Sequence, residues 1–89
     1  MATTALARVN TTSKEYTGTT VFDANLGRSY LFIVVLSGTA TVAFGGGDGQ
    51  VPLPTIGSWY EPLIVPTGEF TVTTGDPADR FVVHSDDQA

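Results

Sequence analysis

The sequence predicts an all-β protein, a small antiparallel β-sandwich or jelly-roll-like barrel of about seven short strands preceded by an extended N-terminal arm. Three observations carry that prediction. Fourteen threonines and ten glycines stand beside a single methionine in 89 residues, a composition of β-branched residues and turn formers rather than helix formers. Turn signals recur every 8–12 residues from Tyr16 onward, at Gly18, Asn25-Leu26-Gly27, Gly38, Gly45 to Gly49, Gly57, Pro66-Thr67-Gly68 and Gly75-Asp76-Pro77. Between them, apolar residues alternate with polar ones at a period of two.

Residues 1–15 have no periodic apolar face; Leu6 and Val9 are their only sizeable apolar side chains after Met1. They read as an arm, either disordered or pinned along a neighbouring subunit, whose deletion is expected to leave the sandwich folded. Thr19 to Asp23 makes a short strand. Tyr30 to Leu36 is apolar without a break, which suits a central strand covered on both faces but does not orient it. Thr39 to Phe44 alternates cleanly, with Ala40, Val42 and Phe44 on one face, and is expected to pair with its predecessor through a tight turn at Ser37-Gly38.

Gly45 to Gly49 reads as a hairpin loop, since it lacks the Lys-Ser/Thr of a phosphate loop and no helix follows. Val51 and Leu53 alternate across Pro52 and Pro54, which places that strand at a sheet edge because proline cannot donate to a ladder. Trp59 and Tyr60 open an apolar stretch that Pro62 breaks and Pro66 closes. Their rings point to opposite faces, so one belongs to the core and the other is free for a partner. Phe70 and Val72 face one way in Glu69 to Thr74, and Phe81, Val82 and Val83 supply the last strand. Residues 16–85 thus form the sandwich and 86–89 a polar acidic tail. The expected core is Phe22, Phe32, Val34, Val42, Phe44, Phe70, Val72 and Phe81, so that Val34→Asp is expected to unfold the chain.

Charge and composition exclude several functions. A net charge of −5 and a pI near 4.3 oppose direct binding to nucleic acid or anionic membrane surfaces. No cysteine is present, which removes disulfides and thiolate chemistry. The longest apolar run has seven residues against the ~20 of a membrane helix, and Met1 to Leu6 lacks the basic start and apolar block of a secretion signal. Asn10-Thr11-Thr12 matches a glycosylation sequon, which carries no weight without such a signal.

No constellation predicts catalysis, a cofactor or a metal. His84 is the single histidine, and its neighbours Ser85, Asp86 and Asp87 cannot form a preorganised triad because adjacent residues of an extended chain point to opposite sides. Ser58, in Gly57-Ser58-Trp59, lacks the setting of a nucleophile elbow. Asp76-Pro77-Ala78-Asp79 reads as a type I turn before it reads as calcium ligands.

The stretch from Tyr30 to His84, with its Leu-Ser-Gly-Thr-Ala-Thr-Val turn, glycine loop and Trp-Tyr-Glu-Pro-Leu-Ile-Val-Pro-Thr-Gly-Glu-Phe-Thr-Val segment, resembles small tailed-bacteriophage virion proteins of the head decoration, or cement, type. The resemblance covers about two-thirds of the chain. It implies a compact sandwich, often a trimer, made in the host bacterial cytoplasm and seated on the outer surface of the major capsid protein shell, with an arm that helps attachment. The candidate partner-binding residues are Leu6, Val9, Asp48, Trp59 and Tyr60. The alternative is a carbohydrate- or receptor-binding module of a phage tail or fibre, with Trp59 or Tyr60 as its stacking platform. A small cupin-like enzyme would need several metal-binding histidines, and only His84 exists.

Overall fold

Eight strands pack as two four-stranded antiparallel sheets in the computed structural model, which describes residues 12–45 and 49–86. The strands are β1 (Thr12–Thr17), β2 (Thr20–Phe22), β3 (Leu31–Val35), β4 (Ala40–Phe44), β5 (Gln50–Leu53), β6 (Trp59–Tyr60), β7 (Phe70–Thr74) and β8 (Arg80–Ser85). One sheet runs β1-β8-β3-β6 and the other β2-β7-β4-β5. The predicted all-β sandwich is therefore observed. β1 begins earlier than the arm boundary at residue 15, so Thr12 to Glu15 belong to the sheet. The deletion of residues 1–15, expected to leave the sandwich folded, would thus also remove four of the six residues of edge strand β1. Leu6, Val9 and Asp48 lie outside the described residues.

Alternation sets which side chains fill the space between the sheets. Leu31, Ile33 and Val35 from β3 and Phe81 and Val83 from β8 meet Ala40 and Val42 from β4, Leu53 from β5, and Phe70 and Val72 from β7, all buried. Four of the expected core residues, Val42, Phe70, Val72 and Phe81, are there, and Phe22 and Phe44 pack against them half-buried. Phe32 and Val34 are not. They face outward, because the register pairs Ile33 with Val83 and Val34 with Val82. In a run that is apolar at both parities, only the partner strands decide which parity turns inward. β3 is interior to its sheet as expected, but its outer face is only half covered.

A second expectation fails at Ser37-Gly38. β3 and β4 are not a hairpin; the chain crosses there from one sheet to the other. Of the connections between successive strands, only β4 to β5 stays within one sheet, as predicted for the glycine loop, and β5 is an edge strand as its prolines require. The crossing corner is built around Asp79. Its carboxylate accepts from the Thr39 and Asp76 amides, while the Asp79 amide bonds to the Asp76 carbonyl and the Ala78 amide to the Asp76 side chain, closing the expected turn. Gly38 adopts φ +74°, and a Cβ built on it would land on the Asp79 carboxylate. Gly38→Ala is therefore expected to cost about 2 kcal/mol, from left-handed backbone strain and loss of the Asp79 contacts, and to lower the melting temperature by about 10 °C. Gly49→Ala, with nothing near its Cβ position, should melt like wild type.

Candidate interaction surface

Directly paired residues share a face, so the ladder registers define the outer surface of the β1-β8-β3-β6 sheet. One row across it is Ser13, His84 and Phe32; the next is Glu15, Val82, Val34 and Trp59. Trp59 lies against Phe32 with ring centroids 6.1 Å apart and an interplanar angle of 28°. The Tyr30 ring stands edge-on to His84 at 5.6 Å, and His84 Nδ1 is hydrogen-bonded to the Ser13 hydroxyl. Glu15 pairs with Arg80 at 3.2 Å on the exposed side. The result is an apolar, partly aromatic band with a polar border.

Trp59 and Tyr60 divide as predicted. Trp59 is 60% exposed, whereas Tyr60 turns inward and packs against the core, with its ring 6.3 Å from that of Phe44. Burial raises the Tyr60 phenol pKa. Tyr60 therefore contributes to the fold, and Trp59 is the candidate of the pair that remains for a partner.

Further exposed apolar side chains lie in the segments on either side of β6, the second of them within the apolar stretch from Trp59 to Val65 that the sequence marks for association. Ile56 is 69% exposed, Ile64 86% and Leu63 99%. Within nine residues, 56 to 64, four large apolar side chains face solvent. Leu63 also borders an open groove of about 340 Å³, together with Ser29, Tyr30, Glu61, Pro62 and Val65. At its rim the Tyr30 hydroxyl donates to Glu61 Oε2 at 2.7 Å. That bond, then burial, then the nearby Glu61 charge raise the Tyr30 pKa, so the phenol stays protonated and bonded well above neutral pH.

The segment preceding β6 is a closed turn. The Ser58 amide bonds to the Thr55 carbonyl, the Thr55 amide bonds to the Ser58 hydroxyl, and Gly57 bridges back to the Val35 carbonyl. Ser58 thus helps to close this turn. Arg28 is 4% exposed although charged. Its guanidinium donates to the carbonyls of Asp23, Pro66 and Gly68 and lies 5.0 Å from the Phe70 ring centre. No pattern in the sequence marks it.

Asp86 is engaged structurally. Asp86, assigned to a tail by the sequence, accepts from the Ser29 amide and hydroxyl and the Tyr30 amide. Ser85 is buried, so it belongs to β8. Burial alone would raise the Asp86 pKa, but these donors together outweigh it and hold the carboxyl below its ordinary value. Its stabilising contribution is fully present above about pH 4 and is lost as pH falls through the lowered value. Acid titration of stability should therefore be shallower below pH 4 in Asp86→Asn than in wild type. Asp76 and Asp79 lie at the opposite end of β8 from Asp86, so these carboxylates share no site. Among the described residues, no three His, Asp or Glu side chains gather as metal ligands.

No protein-family model matches the sequence, and no curated protein matches it. One solved structure is similar, a cupin-2 domain containing protein from Shewanella frigidimarina NCIMB 400. The TM-score is 0.56 at 16% identity, over 83% of this chain and 66% of that one. The two share a β-sandwich fold. The chain spans slightly less than two-thirds of that protein's length. Here the buried inward positions of the strands are aliphatic and aromatic except for Ser85 at the end of β8, and the single histidine stands on the outer face of β8. The interior described here is a packed core with no donor set for a metal.

Proposed function

We propose that this chain is a non-enzymatic virion protein of the head decoration type, which seats the β6 edge of its sandwich on the outer surface of a major capsid protein shell and reinforces it. The observation that carries the reading is the exposure of Ile56, Trp59, Leu63 and Ile64 within nine residues on and around β6, in a domain whose interior is filled. Contiguous exposed apolar surface marks sites of association, and a filled core leaves chemistry little room. The sequence resemblance supplies the shell as partner, a trimer as the assembled form and the virion surface as location. The net charge of −5 complements basic patches on such a shell and discourages contact with packaged DNA.

The exposed indole of Trp59, set flat against Phe32, favours a second reading as a carbohydrate- or receptor-binding module of a tail or fibre. One set of measurements separates the two. The purified chain is sedimented alone, with head shells of the phage that encodes it, and assayed on a glycan array. The decoration reading expects a trimeric mass, saturable pelleting with the shells and no glycan signal. Glycan binding that Trp59→Ala abolishes, with no pelleting, would replace it by the second reading.

A further inference from the structure

The 61–68 segment is clamped at both ends and displays its apolar side chains between the clamps. On the N-terminal side, Tyr60 is fixed by pairing with Ile33, and Glu61 accepts from the Tyr30 hydroxyl. On the C-terminal side, Val65 packs against the core, Arg28 holds the Pro66 and Gly68 carbonyls at 2.9 and 3.2 Å, and the Asn25 amide holds the Thr67 carbonyl at 2.8 Å. Pro62 and Pro66 restrict the backbone further. Between these points Leu63 and Ile64 are almost fully exposed. A loop with no binding task has no need for a buried arginine, two prolines and a core valine to hold two hydrophobic side chains in water.

We infer that residues 61–66 form a preorganised apolar plug, with Leu63 and Ile64 entering an apolar pocket on another protein whose rim carries Lys or Arg. The inference deepens the docking reading above and rests on it. Preorganisation lowers the ordering cost of association, which is what the clamps supply. The basic rim follows from charge. Residues 54–66 contain one carboxylate, Glu61, and no Lys or Arg. A second copy of the chain would bring another Glu61 and another net −5 to the contact, whereas a cationic border complements both. On the shell, that pocket belongs to the major capsid protein.

The test compares pelleting with the head shells for wild type, Leu63→Asp/Ile64→Asp, Glu61→Gln and Val21→Asp. Val21 is an exposed control on β2, in the other sheet. All the replaced side chains are exposed, and near-ultraviolet circular dichroism verifies that each variant is folded. Wild type and Val21→Asp should bind alike, the double variant at least about tenfold more weakly, and Glu61→Gln more weakly at low salt with a reduced salt dependence. Double-variant binding as tight as wild type, on shells that wild type does pellet with, overturns the plug and leaves the shell reading standing. Wild type that fails to pellet overturns the shell reading itself. Unchanged low-salt binding by Glu61→Gln overturns the basic rim. A native mass that falls in the double variant identifies a second copy as the occupant and overturns the partner assigned here.

Discussion

Ile33→Asp should abolish the folded state, while Val34→Asp, one residue along the same strand, should leave it intact. Ile33 is fully buried at the middle of β3, paired with Val83 on one side and Tyr60 on the other, both of which face inward. A carboxylate there has no partner and no water; it costs several kcal/mol against a total stability of about 5–10 kcal/mol. Val34 sits on the outer face between Val82 and Trp59, where a carboxylate reaches solvent and forfeits only lateral packing, about 1 kcal/mol. Amide dispersion in a proton spectrum distinguishes the pair. A folded Ile33→Asp beside an unfolded Val34→Asp would mean that the two parities of β3 had been exchanged.

Arg28→Ala should be the most damaging substitution of any charged residue described here. The fork of the guanidinium satisfies three backbone carbonyls from two separate loops and covers the face of Phe70, a residue at the centre of an aromatic series. In that series Tyr16 meets Phe22 at 4.9 Å, Phe22 meets Phe70 at 4.7 Å and Phe70 meets Phe44 at 5.4 Å. Removing the fork leaves three part-buried carbonyls without their donor and opens a gap over the ring, a loss of about 3 kcal/mol, or about 15 °C in melting temperature. Arg28→Lys should recover only part of this, because one ammonium cannot span three carbonyls in a fixed plane. Hydrogen exchange adds a local signature: the Asn25 amide, bonded to Thr67, should lose protection first. A variant that melts with wild type and keeps that amide protected would show that the loops hold without the arginine.

These two sites also show what the sequence can and cannot carry. The strands β4, β7 and β8 were legible because Val42, Phe70, Val72 and Phe81 alternate with polar neighbours, and the edge position of β5 because Pro52 cannot donate. The facing of β3 was not, since Phe32 and Val34 are as apolar as Leu31 and Ile33. The crossing at Gly38 was read as a hairpin because a glycine with positive φ serves either path; the choice depends on Asp79, which lies 41 residues further on. Arg28 left no signal at all. Its partners are backbone carbonyls as far as 40 residues away, and carbonyls are common to every residue. Of the candidate surface, the split between Trp59 and Tyr60 followed from strand geometry, whereas the display of Leu63 and Ile64 depends on the clamps that flank them.

The most direct test of docking through the β6 edge is the emission of Trp59, the only tryptophan in the chain. In the free protein its indole is largely in water, so emission should sit at the long wavelengths of a solvated ring and be quenched readily by iodide. On head shells carrying the protein at saturation, the account predicts a shift to shorter wavelength and loss of iodide quenching, as the β6 edge is covered. Bound protein whose Trp59 emission and quenching match those of the free chain would contradict it, because the surface in contact with the shell would then lie elsewhere.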